Sequence, residues 1–458
     1  MWFSQRQKIK TDERGNMLLF VMVFGSIAFT LIVAGVASYA IGENRASNYK
    51  QNREQALQVA EAGISYYRWH LAHSPNDYQD GTSQPGPYVH NYTDKDGNVI
   101  GKFSLTITPP PNGSTVVTIQ STGWLLVQPN STRTIKVRVG FPSLANYAFL
   151  TNSNIWIGNG EVIHGAISSN GGIRFDGTSD SLVTSAVATY VCQPVFGNGC
   201  NNTIKPGVWG QGGPQSYWKF PVPAQDFSAV TANLAQIKAG AQAGGIYLSS
   251  SGQQGWRLQF TADGHVLASK VTATNCYNGQ DVDGTNLRAC IDIKTTGPAT
   301  TYVMPANSYI YVEDMVWVDG VVNGRVTVGT AAGKSVIING NITYVAKDGS
   351  DVLGLIGQKD VLVPHDSPDV LEIDGVLLAQ TGAAKRYYYS GNMKSSLTTY
   401  GSIISYGTWT WSWVSLGGAI VSGYKNTVST YDANLVYGPP GGFPVGSQYN
   451  VLSWEEVK

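Results

Sequence analysis

Charged side chains are scarce in this sequence. Asp, Glu, Lys and Arg make up 13% of its 458 residues, about half the share found in an average soluble domain. Acidic and basic residues balance at 30 each, so the formal net charge is zero. Binding to nucleic acid requires an excess or a patch of basic residues. The composition therefore argues against nucleic acid as a partner.

The motifs of the common enzyme classes are missing as well. The sequence contains no G-x-S-x-G, P-loop or H-E-x-x-H motif, and no G-x-G-x-x-G in a βαβ context. His70 and His73 form the one close histidine pair, and no third metal ligand is indicated. We therefore expect no catalytic residue, no metal and no cofactor. Calcium at residues 347–351 is an alternative, because this segment offers carboxylate oxygens but lacks the twelve-residue ligand pattern.

Cysteine is limited to four residues, Cys192, Cys200, Cys276 and Cys290. Neither close pair has the C-x-x-C spacing of a zinc knuckle or a thioredoxin-type site. We predict two local disulfides, Cys192–Cys200 and Cys276–Cys290, formed outside the reducing cytosol. Unpaired thiols or another pairing are the alternatives.

The N-terminal region has one long stretch without charge, from Asn16 to Gly42. A helix rises 1.5 Å per residue, so this stretch can span a hydrocarbon core of about 30 Å. A cleaved secretory signal is the alternative, but such signals have a short apolar core and a small-residue cleavage site. The positive-inside rule places the N-terminus in the cytoplasm and the body outside, because four basic residues precede the stretch: Arg6, Lys8, Lys10 and Arg14.

The helix is expected to continue beyond the apolar stretch, from residue 16 to about residue 73. The breaker cluster Ser74-Pro75-Asn76 marks its end. Residues at three- and four-residue steps predict one apolar stripe along the second half, interrupted by Arg53: Ala46, Tyr49, Ala56, Leu57, Ala60, Ile64, Tyr67 and Leu71.

Two short motifs flank the apolar stretch, Glu13-Arg14-Gly15 before it and Gln58-Val59-Ala60-Glu61-Ala62-Gly63 after it. Together they resemble the N-terminal region of PilX-type minor pilins. The resemblance implies that a prepilin peptidase cuts after Gly15 and leaves Asn16 as the mature N-terminus, where pilins usually have Phe or Met. Phe20 stands where major pilins carry a glutamate, which implies a minor or accessory subunit.

Three runs after the helix predict a small antiparallel sheet. They cover residues 102–108, 115–121 and 134–139, and the first and third alternate strongly. Their common apolar face is a partner for the helix stripe, which gives a pilin-like module of helix and three-stranded sheet over residues 16–142. The alternative is that the sheet belongs to the following domain.

Residues 143–458 contain many short β runs separated by Gly and Asn, as in Val336-Ile337-Ile338-Asn339-Gly340. We predict a large β-helix or solenoid-like domain, because the runs are short and several look buried on both faces. A sandwich of hairpins with Asn-Gly turns is the alternative. An insertion at about 204–245 includes a helix from Asp226 to Ala243, expected to lie against the solenoid as a flap.

The last part of the chain carries a second resemblance. Runs such as Asp360-Val361-Leu362-Val363-Pro364 and the tail Pro439-Pro440-Gly441-Gly442-Phe443-Pro444 are similar to the repetitive C-terminal domain of large PilX-type proteins. The resemblance implies a surface or pilus-assembly role and little about chemistry.

An alternating row, Trp409, Trp411 and Trp413, places three indoles on one side of a strand. If exposed, the row is a patch for sugar stacking or adhesion; if buried, it is the core face of a solenoid turn, the reading we favour. Acidic clusters at 313–319 and 366–374 raise the alternative of glycan-active chemistry, although solvated corners explain them as well.

The sequence thus predicts a mainly β protein with a long N-terminal transmembrane helix. Residues 1–15 form a cytoplasmic leader, and the body lies outside the cytoplasmic membrane, in a pilus or on the cell surface. We expect a non-enzymatic pilin-like subunit whose partners are other pilin-like subunits, the pilus assembly machinery, the inner membrane and surface glycans. A membrane-anchored carbohydrate-binding or glycan-active β-helix protein is the alternative.

Overall fold

The computed structural model describes residues 13–111, 113–227, 233–305, 309–415, 419–443, 445–446 and 448–457, without the side chains of 13–16 and 233. Residues 1–12 of the predicted leader therefore lie outside the described residues. The chain divides into two compact units. The helical unit takes the chain up to Thr108, with Thr118–Arg138 and the segment from Val451. The solenoid unit comprises Pro109–Val117 and Val139–Asn450, so the division differs from a single cut after residue 142.

One helix, α1 (Glu13–His73), makes up the first part of the helical unit. It confirms the predicted helix, and the chain leaves it at Ser74-Pro75. Every side chain from Met17 to Lys50 is exposed. The predicted stripe is buried only from Ala56 onward, with Ala46 and Tyr49 exposed. Burial extends over one face of the second half: Ala56, Val59, Ala60, Ile64, Tyr67 and Leu71.

The helical unit also contains a sheet of five strands rather than the three predicted. Adjacent β1 and β2 are antiparallel, as are β2 and β3. The two unpredicted strands are β1, whose sequence is largely polar, and a final strand that lies more than 300 residues from the others in the sequence. The order across the sheet is β1 (Tyr88–Thr93), β2 (Val99–Thr108), β3 (Val116–Leu125), β4 (Gln128–Gly140) and the final strand (Asn450–Val457).

The second half of α1 packs directly on this sheet. A Cβ placed on Gly123 of β3 would lie 2.4 Å from the backbone oxygen of Ala56 and 2.4 Å from the backbone nitrogen of Ala60. A Cβ on Gly63 of the helix would lie 2.3 Å from the hydroxyl of Ser121. These two glycines allow the backbone of the helix and the sheet to approach closely. The predicted packing of the helix on a sheet is therefore confirmed.

The solenoid unit is built from short parallel strands stacked in columns. Parallel pairing between successive turns confirms the solenoid and rules out the sandwich of hairpins. The first column consists, in stacking order, of β16 (Ile246–Leu248), β20 (Tyr309–Val312), β22 (Arg325–Thr330), β24 (Val352–Gly357), β26 (Val370–Ala379), β28 (Met393–Ser405), β5 (Phe149–Thr151), β8 (Ile167–Ser169), β11 (Val183–Ser185) and β15 (Trp218–Lys219).

Two further sides complete the turns. The second side contains β17 (Gly255–Thr261), β21 (Val316–Val322), β23 (Val336–Tyr344), β25 (Val361–Leu362) and β27 (Ala384–Lys385), and a separate three-stranded sheet of β6 (Ile155–Ile157), β9 (Ile173–Phe175) and β14 (Val208–Trp209). The third side contains the later half of β21 and of β23, the first halves of β26 and β28, then β30 (Ile420–Tyr431), β7 (Glu161–His164) and β10 (Thr178–Ser179).

Stacking order differs from sequence order. The earliest turn, β5 to β7, lies next to the latest, because β5 pairs with β28 and β7 pairs with β30. The chain must therefore return from β15 at one end of the stack to β16 at the other. Nine strand spacings of about 4.8 Å separate them, or about 43 Å. The described part of this connection, residues 220–227 and 233–245, includes α2 (Asn233–Gly244), which packs against β16, β20 and β22.

The predicted insertion is thus a connection along the stack rather than a flap. Its course is marked by Gln225, whose amide donates to Asn170 at 2.8 Å, and by Phe227, whose ring packs edge-on against Tyr406. Ile237 and Ala241 of α2 are buried against the outer surface of the first column. The predicted helix began at Asp226; the described part begins at Asn233, and residues 228–232 lie outside the described residues.

Several antiparallel strands lie outside the stack of turns. They cover the outer faces of stacked strands, which explains why some runs are apolar on both faces. In β21, Val316 and Val318 point into the core, whereas Trp317 packs under a hairpin with Ile337 and Leu362. The strands outside the stack are β12 (Thr189–Cys192) with β13 (Thr203–Pro206), the long hairpin of β18 (His265–Gln280) and β19 (Asn286–Val303), and β29 (Ser412–Val414) against β30.

Candidate functional sites

The first half of α1 presents a largely apolar surface, without a charged residue from Met17 to Gly42. Among its exposed side chains are Phe20 at 60% and Phe24 at 64% exposure. The hydroxyl of Ser26 donates to the carbonyl of Val23 at 2.9 Å, and that of Thr30 donates to the carbonyl of Ile27 at 3.2 Å. These bonds satisfy the polar side chains inside the helix, as an apolar environment requires. The helix is long and apolar enough to cross a membrane.

The proposed processing site, Gly15 and Asn16, lies in the first turns of α1. The Asn16 side chain lies outside the described part of the chain. Cleavage after Gly15 therefore stays a prediction.

Both predicted disulfides are present, and each joins parts of one hairpin. Cys192–Cys200 closes the loop after β12, and Cys276–Cys290 links β18 to β19. The second hairpin crosses the outside of several solenoid turns, where Ile291 packs with Trp317. Each bond closes a segment that leaves the stack of turns, and it stabilises the fold mainly by restricting the unfolded chain.

The tryptophan row does not form an exposed ligand patch. Trp409 and Trp411 are 4% and 0% exposed and belong to the solenoid core, where Trp409 packs edge-on against Phe149. Trp413 is half-buried on β29, and its indole nitrogen donates to the carbonyl of Arg386 at 2.9 Å. Alternate residues of a turn point inward, so burial of the first two indoles follows from their position. The structure therefore favours the core reading of the row.

The acidic clusters are used in ion pairs and backbone contacts. Asp319 accepts two hydrogen bonds of 2.9 Å from Arg257. Asp374 accepts from Lys347 at 2.8 Å and from the amide of Tyr344 at 2.9 Å, while burial raises its pKa. Such partners suit structural corners better than the paired, substrate-facing carboxylates of glycosidases.

Two carboxylates of the calcium alternative at residues 347–351 accept hydrogen bonds from the protein. Asp351 accepts from the amides of Gly324 and Ala346, and Asp348 accepts from the amide and hydroxyl of Ser350. Among the described residues no group of three His, Cys, Asp or Glu side chains is placed to hold a metal ion. The expectation of no cofactor stays a prediction.

A ladder of aromatic and basic side chains, missed at the sequence level, lies on the outside of the three-stranded sheet. Trp156, Arg174 and Trp209 occupy matching positions on β6, β9 and β14. The Arg174 guanidinium lies 4.3 Å from the ring centre of Trp156 and 5.3 Å from that of Trp209. Asp176 accepts hydrogen bonds from Arg174 at 2.7 Å and from Trp156 at 2.8 Å. The alternation in Ile155-Trp156-Ile157 and Ile173-Arg174-Phe175 was the available signal.

Beside this ladder is a cavity of about 430 Å³ at a corner of the solenoid. Glu161 lines it, with Asp176 and Lys425. One carboxylate oxygen of Glu161, Oε2, is buried and has no hydrogen-bond partner among the described residues. Burial raises the pKa of Glu161 to about 8. Nothing in the sequence around Glu161 distinguishes it from other turn residues.

Comparisons with known proteins give little. No protein-family profile matches the sequence, and no curated protein matches it. Among solved structures, the competence-associated pilin ComZ from Thermus thermophilus aligns over 89% of this chain and 98% of its own, with 15% identity and a TM-score of 0.28. A TM-score this low does not establish a common fold, and nothing about this chain follows from it.

Proposed function

We propose that this chain is a non-enzymatic, pilin-like surface protein, anchored by α1 in the cytoplasmic membrane and assembling as a minor or accessory subunit of a type IV pilus or related apparatus. One observation carries the proposal. The first half of α1 is fully exposed and apolar, and its second half packs on a sheet of the same unit.

The exposed half explains both membrane insertion and assembly. Its apolar side chains are stable in lipid, where α-helices satisfy their own backbone hydrogen bonds. They are equally stable among the helices of other subunits, where the same surface stays out of water. The chain can therefore pass from bilayer to helix bundle without exposing this surface. The solenoid unit is then the part that is displayed.

Processing of the N-terminus tests the pilin route. The full chain is expressed in a cell that carries a prepilin peptidase, and the mature protein is analysed by mass spectrometry. A new N-terminus at Asn16 supports the proposal. Gly15→Leu should block this cut, whereas Gly25→Leu should not, because a side chain at Gly25 meets nothing within 4 Å. An intact Met1 in the native chain would show a plain anchor instead.

Assembly is tested separately by crosslinking in intact cells. Phe24→Cys places a thiol on the exposed apolar half, and Ala72→Cys, the matched control, places one on the exposed side of the packed half. Crosslinks to other subunits from position 24 and fewer from position 72 support assembly through the apolar half. The same yield at both positions would contradict it.

A further inference from the structure

The corner cavity of the solenoid unit has the size of a small-ligand site. Its volume of about 430 Å³ lies within the range of about 300–1,000 Å³ typical of ligand pockets. It is bordered by β7 and β9 and by the neighbouring turn, β30. Glu161 on β7 lies in register with Thr427 on β30, and both residues line the cavity.

Glu161 provides a polar group without a protein partner. Its Oε2 is out of contact with solvent although the residue as a whole is half-buried. A buried acceptor without a hydrogen bond is unfavourable. Desolvation raises the pKa of this carboxyl to about 8. The carboxyl oxygen available to a ligand is Oε1, which lies 3.9 Å from a Cβ placed on Gly158, another lining residue. It accepts a hydrogen bond or, in the protonated carboxyl, donates one.

Another part of the lining is held in place by several hydrogen bonds. Asp176 holds three groups at once, because it accepts from Arg174, from Trp156 and from the amide of Gln211 at 2.9 Å. The second donor nitrogen of Arg174 is bonded to carbonyls of the disulfide loop, including that of Asn198 at 2.8 Å. A wall fixed before binding loses little conformational entropy when a ligand arrives.

Charge around the cavity selects the ligand class. The described lining carries two acidic groups, Glu161 and Asp176, and two basic groups, Arg174 and Lys425, so its ionised charges sum to zero. With Glu161 protonated, one positive charge remains. A phosphate or sulfate needs several free cationic donors, but Nε and Nη1 of Arg174 are already bonded, which leaves Lys425 as the main free cation in the described lining.

We propose that this cavity binds a neutral saccharide unit. Sugar hydroxyls donate and accept together, which matches a carboxyl group, the side-chain amides of Asn159 and Gln211, and the hydroxyl of Thr427. The half-buried indole of Trp156 provides an apolar edge for the C–H face of a ring. The site is separate from the buried Trp409 and Trp411, and it does not depend on how α1 is anchored.

The test uses the full chain in detergent micelles on an array of neutral and acidic oligosaccharides, followed by calorimetry with the best neutral probe. The native chain should bind neutral oligosaccharides. Glu161→Ala and Gln211→Ala should each weaken binding at least about tenfold, whereas Glu161→Gln should stay within a few-fold because an amide replaces the neutral acid. Asn201→Ala, an exposed residue outside the cavity, is the matched control for Gln211→Ala and should change nothing.

Three results would overturn the proposal. The first is that the native chain binds no neutral oligosaccharide. The second is that binding survives both Glu161→Ala and Gln211→Ala. The third is that inorganic phosphate or putrescine displaces the bound sugar at concentrations where neutral sugars fail to compete. Circular dichroism and the melting temperature of each variant establish that the fold is kept. Failure here leaves the N-terminal processing result untouched, so the two proposals are distinguishable.

Discussion

The guanidinium of Arg174 lies 4.3 Å from the centre of the Trp156 ring and also bonds to the loop closed by Cys192 and Cys200. One side chain thus joins the outer face of the solenoid to a disulfide-linked hairpin. Lysine has a single ammonium group and cannot reproduce the planar stacking and the divergent hydrogen bonds of arginine. The disulfide closes the loop, and Arg174 holds the loop against the outer face of the solenoid.

Arg174→Lys should therefore release the loop without breaking the disulfide. We expect faster limited proteolysis within residues 193–199 and a loss of about 1–3 kcal/mol in the free energy of unfolding. Mass mapping of the cleavage sites measures the first effect and thermal unfolding the second. Arg288→Lys, an exposed arginine on the other hairpin, is the control. Unchanged cleavage in Arg174→Lys would show that the disulfide alone places the loop.

Gly123→Ala tests the contact between α1 and its sheet. The added methyl group would lie 2.4 Å from two backbone atoms of the helix, so helix and strand must separate. Overpacking of this kind costs about 1–3 kcal/mol, and we expect a lower melting temperature for the helical unit. Gly42→Ala is the matched control, since its methyl meets nothing within 4 Å and should instead favour the helix. Equal melting temperatures for Gly123→Ala and the native chain would contradict the close packing.

Arg325 is expected to hold several loops of the solenoid unit together. Its two terminal nitrogens donate to the carbonyls of Gly349 at 2.6 Å, Gly113 at 2.9 Å, Gly438 at 2.7 Å and Pro439 at 2.9 Å. Arg325→Lys keeps the charge but cannot reach all four oxygens. We expect faster hydrogen exchange around residues 113–116 and 437–443 and a loss of roughly 2–4 kcal/mol in stability, since bonds to charged donors contribute about 1.5–3 kcal/mol each. Exchange rates equal to the native ones would show that these loops are held by other contacts.

Glu161 should give the stability of the protein a distinct pH dependence. Its pKa is raised by burial from 4.5 to about 8 in the folded state. Between these values the folded chain retains a proton that the unfolded chain has lost, so the free energy of unfolding falls as pH rises. Glu161→Gln should lack this part of the slope and be more stable than the native chain at pH 8.

Denaturant titrations from pH 4.5 to 8.5 measure this difference. Burial also raises the pKa of Asp292 and Asp374, but both remain in the variant, and the difference between the two curves isolates Glu161. Glu61→Gln, an exposed glutamate of α1, is the control. Parallel curves for the native chain and Glu161→Gln would place the Glu161 carboxyl in a solvated environment.

The helix and the solenoid could be predicted because their signals are local. An uncharged run followed by an apolar stripe predicts α1, and short apolar runs that end in Asn-Gly predict the stacked turns. The burial of Val336-Ile337-Ile338 on both faces was also readable, although the hairpin that covers Ile337 was not. Its strands, β18 and β19, are largely polar and exposed, so periodicity carries little information there.

Long-range pairing could not be predicted in the same way. The final strand joins β4 through side chains distant in sequence, with Arg133 paired to Glu456 and Lys136 to Glu455 at 3.3 Å. The cavity beside Glu161 likewise needs β7 and β30 to be neighbours, a contact between residues more than 260 positions apart. A local pattern fixes which residues form a strand, whereas the partner of that strand depends on the whole stack.

The inverted stacking of early and late turns has a consequence for synthesis. Of the strands in the first column, β5 is made first, yet its neighbour β28 follows about 240 residues later. A growing chain therefore carries an open strand edge until the last turns arrive, and open edges recruit other chains. The solenoid unit cannot complete its fold while it is being synthesised, and a chain stopped before Met393 would be left with a gap inside the stack rather than a shortened end.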